Sequence, residues 1–289
     1  MRCCRYMKFE HAAESLRSKL FKVAEPLDFN DPFECRGYYK NFEDVLRKYV
    51  HDNYERLKFE AIRRTGSTTP ESQNRFTEQF LFDVYFNTAS RVVDSSWIEA
   101  INNTALMMCF VKERGLKPTS DVLFWSHYAD AGKGMRITFD LQERVRGGVY
   151  YMKDVEYLDK IPEFDCRKME AWLQGAEFNN YVERLSHVKG TAWSYENEIR
   201  MIIPRHIPQS AMRVPGKHLS SRVEDGKTKW FVKISYDAIR RIDFGPRVDR
   251  ERASRLISEL RQLKDASHIG FHEAVLKPGE YVYAYKKVA

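Results

Sequence analysis

One stretch, residues 193–204, constrains the fold of this chain more than any other. Its sequence is WSYENEIRMIIP. Read at the strand period of two, it predicts a β-strand with two faces. Glu196, Glu198, Arg200 and Ile202 lie on one face, and Tyr195, Asn197, Ile199, Met201 and Ile203 lie on the other. The isoleucine-rich end and the closing proline indicate a strand that enters a core and then stops. A firmly anchored strand of this kind can present acid–base groups to a substrate.

The same pattern also fits a strand with no chemical role. Alternating Glu and Arg on one face is typical of a half-exposed antiparallel strand, in which cross-strand ion pairs contribute roughly a few tenths of a kcal/mol. The pattern alone therefore leaves two interpretations open. The three charged residues are either part of an active site or an ordinary ion-pair ladder.

The spacing of apolar residues along the chain predicts an α+β fold. About eight short apolar or alternating segments indicate strands, and helical patterns lie between and beside them. We expect a mixed or antiparallel β-sheet core with flanking helices. Residues 41–103 are charged, aromatic and helical in period, which predicts a helical insertion within a single domain spanning residues 1–289.

Charge and missing motifs narrow the classes of function. The chain has 48 basic and 41 acidic residues, a net charge of +7, which favours polyanionic partners such as nucleic acid. The sequence contains no Gly-rich phosphate loop, G-x-S-x-G elbow or H-E-x-x-H motif. These absences argue against a kinase, a dehydrogenase, a serine hydrolase or a zinc protease.

Cysteine usage and hydropathy indicate the compartment. The five cysteines form no C-x-x-C pair and no Cys/His spacing suited to zinc, so reduced thiols are the simplest interpretation. No apolar run is long enough for a signal peptide or a membrane span. We expect a cytoplasmic protein with neither a membrane partner nor a metal.

Two further segments carry candidate binding residues. Residues 28–34, DFNDPFE, predict a loop in which Asn30 and Asp31 either face a ligand or cap the next helix. The second segment follows Asp121, a predicted helix N-cap, and combines a stacking surface, two hydroxyls and an imidazole. Its members are Trp125, Ser126, His127 and Tyr128. A structural histidine and a ring-binding site both remain open for it.

Together these segments resemble the bacterial family called domain of unknown function 2971. The resemblance rests on Arg5-Tyr6 before a helix and a strand, FNDPFE at 29–34, WSHYAD at 125–130, Gly134 before a strand, and W-x-Y-E-x-E-x-R at 193–200. The motifs follow the expected order along nearly the whole chain. This family implies no activity.

The stretch around Glu198 is also similar to the E-x-E strand of the ADP-ribosyltransferase superfamily. There the second Glu is catalytic, and an Arg or His on the first strand holds NAD. The resemblance implies that Glu198 is the catalytic carboxylate, that Glu196 assists toward the acceptor, and that Arg5 holds NAD. The other candidate NAD-binding residues are Tyr6, Asn30, Asp31, Trp125, Ser126, His127, Tyr128, Tyr195 and Arg200. The Ser-Thr-Ser motif of the arginine-specific members is absent.

The resemblance predicts an NAD-dependent enzyme that transfers ADP-ribose to a nucleic acid or protein. A toxin or phage-defence effector with a neutralising antitoxin partner is the expected setting. One alternative is a non-catalytic nucleotide- or RNA-binding module. The other is a metal-dependent nuclease using Asp31, Glu196 and Glu198, although residue 200 is Arg where such sites usually have Lys.

Overall fold

The computed structural model describes residues 1–141, 150–168, 176–205 and 219–288. The chain divides into two compact units. The first consists of Met1–Asn30, Thr104–Tyr157 and Thr191–Ala289, and the second of Asp31–Asn103 and Leu158–Gly190. Residues 41–103, predicted as a helical insertion, lie in the second unit. The assignment of a single domain stays a prediction.

Strands and helices alternate along much of the chain. The described strands are β1 (Arg2–Met7), β2 (Leu20–Val23), β3 (Tyr38–Lys40), β4 (Ala105–Lys112), β5 (Met135–Asp140), β6 (Tyr151–Asp154), β7 (Glu156–Leu158), β8 (Glu163–Asp165), β9 (Val188–Gly190), β10 (Glu198–Pro204), β11 (Leu219–Glu224), β12 (Lys227–Lys233), β13 (Ile239–Phe244), β14 (Gly270–Leu276) and β15 (Tyr283–Lys287). The described α-helices are α1 (Phe9–Ser18), α2 (Phe42–Asp52), α3 (Tyr54–Thr65), α4 (Pro70–Asn74), α5 (Glu78–Thr104), α6 (Pro118–His127), α7 (Ala176–Leu185) and α8 (Arg250–Arg261).

The first unit is built on an eight-stranded sheet in the order β15-β14-β13-β5-β1-β4-β10-β6. Strands β13 and β14 pair in parallel. The pairs β5-β1, β1-β4, β4-β10 and β10-β6 are antiparallel. A smaller sheet of three strands, β11-β12-β2, belongs to the same unit. The predicted α+β class with a mixed sheet core and flanking helices is confirmed.

Alternation along the strands places an apolar core on one face of the large sheet. On β10, Ile199, Met201 and Ile203 are buried in this core, as the period of two predicts. Helix α1 supplies Ala12 and Leu16 to the same core. The intervening residues of β10 therefore project from the opposite face, which carries the charged groups.

The second unit contains helices with a small apolar core and a charged surface. Five buried residues form this core: Val50, Leu57, Phe76, Leu81 and Phe82. Ion pairs one helical turn apart cover the outside, including Arg47 with Glu43 at 2.8 Å and Lys48 with Asp52 at 2.7 Å. Exposed pairs of this kind stabilise a helix by only about 0.3–0.5 kcal/mol each.

Strand β10 is shorter than the strand predicted over residues 193–204. Residues Thr191–Glu196 form a 3-10 helix, and β10 begins at Glu198. Asn197 between them has a φ of 46°, a left-handed conformation that Asn tolerates better than most residues. The prediction that Glu196 shares a strand face with Glu198 and Arg200 is therefore wrong.

Gly134 precedes β5 at a position with no room for a side chain. A Cβ atom there would lie 2.1 Å from the carbonyl oxygen of Met7 and 2.9 Å from that of Ala129. We expect Gly134→Ala to lower the free energy of unfolding by about 1–3 kcal/mol, because the backbone must move apart. Gly190→Ala is the control, since a Cβ there meets nothing within 4 Å. Equal urea-unfolding midpoints for the two variants would contradict this packing.

Candidate active site

The centre of the candidate site is a buried ion pair on β10. The Arg200 guanidinium donates from Nε to Glu198 Oε1 at 2.7 Å and from Nη2 to Oε2 at 3.3 Å. The two side chains are 0% and 5% exposed, respectively. A guanidinium that binds both oxygens of a carboxylate fixes its orientation as well as its position.

Neighbouring groups hold this pair in place. The backbone N–H of Glu198 donates to the Tyr157 hydroxyl at 2.8 Å. The Phe29 ring centroid lies 5.1 Å from Arg200 Cζ, a cation–π contact. On β4, Cys109 lies directly opposite Arg200 in the antiparallel register. The Glu198 carboxylate thus lies on a strand whose neighbouring residues contact both members of the ion pair.

Arg5 lies on β1, which β4 separates from β10 in the sheet. Strand β1 pairs with β4 at Cys3 and Cys4. Farther along β4, Met107 pairs with Ala24 instead of with β1, so the two strands diverge. Arg5 is half-buried near this divergence, and its Nη1 donates to the Lys22 carbonyl at 2.9 Å. Burial lowers the pKa of Arg5, and the nearby Cys109 acts in the opposite direction.

Glu196 has a separate contact with helix α6. The Tyr128 hydroxyl donates to Glu196 Oε1 at 2.6 Å. The rings of Tyr128 and Tyr195 both lie near Phe124, with centroid distances of 6.0 Å and 6.2 Å. These contacts connect the C-terminal end of α6 to the 3-10 helix that precedes β10. The structure therefore brings Tyr128, Tyr195 and Glu196 together.

Other predicted binding residues have different surroundings. Ser126 and His127 are exposed on α6, whereas Trp125 is buried and its Nε1 donates to the Tyr285 hydroxyl at 3.0 Å. Tyr6 stacks on Phe124 with ring centroids 5.0 Å apart. Trp125 is thus buried, Ser126 and His127 are exposed, and the His127 ring lies beside that of Tyr128, with centroids 6.2 Å apart.

The predicted N-cap role of Asp121 is wrong. Helix α6 begins at Pro118, with Lys117 in the N-cap position, so Asp121 lies inside the helix. Its carboxylate accepts hydrogen bonds from the hydroxyls of Tyr6 and Tyr285. These bonds attach α6 to the sheet rather than close its first turn.

The predicted loop residues Asn30 and Asp31 belong to different units. Asn30 is exposed. Asp31 is buried, and its Oδ1 accepts the Phe33 backbone N–H at 2.9 Å, as in a turn stabilised by an Asp side chain. In the second unit, Glu34 pairs with Lys189 at 2.9 Å in a buried contact.

A buried polar network beneath α6 has no counterpart among the residues predicted from the sequence. Arg136 Nε donates to Asp243 Oδ2 at 2.8 Å, and Arg241 Nε donates to Asp243 Oδ1 at 2.5 Å. The Arg136 guanidinium also lies 4.0 Å from the Tyr285 ring centroid. Burial alone would lower the pKa of Arg136, but the Asp243 carboxylate and neighbouring groups raise it well above its ordinary value. The sequence near Arg136 carries no signal that a helix covers this side chain.

The cysteines of this protein are reduced. All five cysteines are free thiols, and burial raises the pKa of Cys4 to about 12. Among the residues that the structure describes, no group of three or more His, Cys, Asp and Glu side chains is arranged to hold a metal ion. No helix in the described ranges is long and apolar enough to cross a membrane.

Comparison with known proteins gives one match. Residues 124–201 match a family model described as a protein of unknown function, DUF2971. The matched segment contains Tyr128, which follows α6, and, near its end, Glu196, Glu198 and Arg200. No curated protein and no solved structure matches the chain. The sequence resemblance to this family is thus confirmed.

Proposed function

We propose that this chain, whose residues 124–201 match the DUF2971 family model, is an NAD-dependent ADP-ribosyltransferase with Glu198 as its catalytic carboxylate. The observation that carries the proposal is the setting of Glu198. It is the first residue of an interior strand, and Arg200 binds both of its carboxylate oxygens. A carboxylate held in this way can stabilise positive charge without reorganising during the reaction.

The proposed chemistry breaks the bond between nicotinamide and ribose. Nicotinamide leaves with the bonding electron pair, and the ribose passes through an oxocarbenium-like state that the Glu198 carboxylate stabilises. The acceptor then forms the new bond to the same ribose carbon and loses a proton. We assign Glu196, oriented by the Tyr128 hydroxyl, to the acceptor side, and Arg5 to a phosphate of NAD.

Burial of the ion pair favours one alternative, a non-catalytic nucleotide- or RNA-binding module. Glu198 and Arg200 are 5% and 0% exposed, as is expected of a pair that only stabilises the fold. The nuclease alternative has less support, because Asp31 makes a local contact with the Phe33 backbone and Glu196 is engaged by Tyr128. Mutation of Glu198 distinguishes the transferase from the non-catalytic binding module.

The setting of the enzyme belongs to the same proposal. Five free thiols are in keeping with a cytoplasmic protein, and the net charge of +7 favours nucleic acid as the acceptor, with protein as the other candidate. A toxin or phage-defence effector of this kind would have a neutralising protein partner. NAD is the substrate, and the proposed chemistry uses no metal.

The test is nicotinamide release from NAD by the wild type and Glu198→Gln. We expect release to fall by about 100-fold or more in Glu198→Gln, the effect of removing a group that stabilises developing charge. Glu259→Gln is the matched control, since Glu259 pairs with Arg17 on the surface and its side chain is 48% exposed. Thermal unfolding of each variant identifies the temperature range in which it is folded. Full activity of Glu198→Gln would disprove the assignment.

A further inference from the structure

A groove at one end of the large sheet is a second candidate binding site. It lies where β1 and β10 begin and β4 and β6 end, and residues from all four strands line it. Its volume is about 650 Å³. Pockets of about 300–1,000 Å³ hold small molecules in other proteins, so the groove is large enough for one.

Basic side chains predominate around this groove. Its charged lining residues are Arg2, Lys112, Glu113, Arg114, Lys153 and Asp154. Lys112 and Asp154 pair at 2.9 Å and largely offset each other. Arg2 and Arg114 are exposed, and within the described part of the chain their guanidinium groups form no ion pair. The groove therefore has a positive surplus that can attract an anion.

Hydrogen bonds fix the backbone that carries the two arginines. The Asn197 side-chain amide donates to the Arg114 carbonyl at 3.0 Å and to the Lys112 carbonyl at 3.3 Å. The Glu113 N–H donates to the Arg2 carbonyl at 3.3 Å. Arg2 and Arg114 extend from backbone segments joined in this way. A ligand that binds both therefore costs less conformational entropy of the backbone.

The floor of the groove is apolar. Ile199 belongs to the main core, and Met152 is half-buried against it. A thioether makes favourable contacts with aromatic rings, and a guanidinium matches the geometry of a phosphate. A ligand that combines a flat ring with a phosphate would satisfy both the floor and the rim.

We propose that this groove binds the base and phosphate of a nucleotide. The site goes beyond the proposed cleavage of NAD, because it involves neither Glu198 nor Arg200 and requires no turnover. A free nucleotide and the end of a nucleic acid strand carry the same recognised groups. Binding experiments with both kinds of ligand distinguish the two sources.

The experiment measures binding of adenosine diphosphate by calorimetry and of a short 5′-phosphorylated RNA by fluorescence anisotropy. The double variant Arg2→Gln/Arg114→Gln is expected to bind at least about tenfold more weakly than the wild type, because it loses charge-assisted hydrogen bonds to phosphate. Glu113→Gln should bind more tightly, since it removes a negative charge from the groove. Arg250→Gln is the control, because Arg250 is 85% exposed on α8.

The ligand that binds more tightly identifies the source, and loss of that binding in the double variant supports the site. Both arginines are exposed, so the double variant should fold, and its melting temperature verifies this. Wild-type affinity in the folded double variant, or no binding of either ligand by the wild type, would overturn the proposal. The readout is binding, so the result does not depend on whether the protein cleaves NAD.

Discussion

Arg200→Met is expected to lower the free energy of unfolding by about 3–5 kcal/mol, the usual effect of removing one partner from a buried ion pair. The variant removes both guanidinium hydrogen bonds to Glu198, a side chain that is 5% exposed. Water cannot readily replace those bonds in the folded state, so the charged carboxylate carries a desolvation penalty. Urea unfolding at neutral pH measures the loss.

Two further variants show whether burial causes this effect. Arg17→Met breaks the Arg17–Glu259 pair, whose side chains are 54% and 48% exposed, and should change stability by less than about 1 kcal/mol. The double variant Glu198→Leu/Arg200→Met should be more stable than Arg200→Met alone, because it also removes the buried carboxylate that has lost its Arg200 hydrogen bonds. If Arg200→Met were no more harmful than Arg17→Met, the pair would not be a buried structural element.

Arg136→Met is the second variant with a large expected effect, a loss of about 3 kcal/mol. Arg136 binds Asp243, which is 0% exposed, and lies 4.0 Å from the Tyr285 ring centroid. The loss should fall at the lower end of the usual range for a broken buried pair, because Arg241 still contacts Asp243. Urea unfolding is again the measurement.

The control for this variant is Arg241→Met. Arg241 contacts the same carboxylate, but its side chain is 28% exposed, compared with 10% for Arg136. Its replacement should therefore destabilise the fold less. If Arg241→Met lowered the free energy of unfolding as much as Arg136→Met, burial beneath α6 would not determine the size of the loss.

The sequence predicted β10 well only where the strand is regular. The faces of Ile199, Arg200 and Met201 follow from a period of two, which is a local property of any extended chain. Glu196 was misplaced because the left-handed backbone of Asn197 interrupts that period. Asn just before an apolar run was the only signal of a turn, and it is a weak one.

Helix α6 shows a second limit of sequence reasoning. Its buried residues Asp121, Phe124 and Trp125 are spaced by three and four positions, as expected for one side of a helix. The predicted ring-binding site instead groups the consecutive residues 125–128, of which Ser126 and His127 are exposed. Helical spacing applied to this segment would have separated them.

The Arg136 network could not be predicted from local patterns. Its bond to Asp243 joins residues 107 positions apart, and the bond from Tyr6 to Asp121 spans 115. The local sequence around Arg136 does not indicate that α6 covers it. Only the tertiary arrangement places these charges in a buried environment.

The measurement that tests the central claim most directly is the rate of nicotinamide release from NAD by wild type and Glu198→Gln, at a temperature where both are folded. Our account predicts release by the wild type and a loss of about 100-fold or more in the variant. Equal rates in the two proteins, or no release by the wild type with NAD and RNA present, would contradict it. The pair on β10 would then be structural.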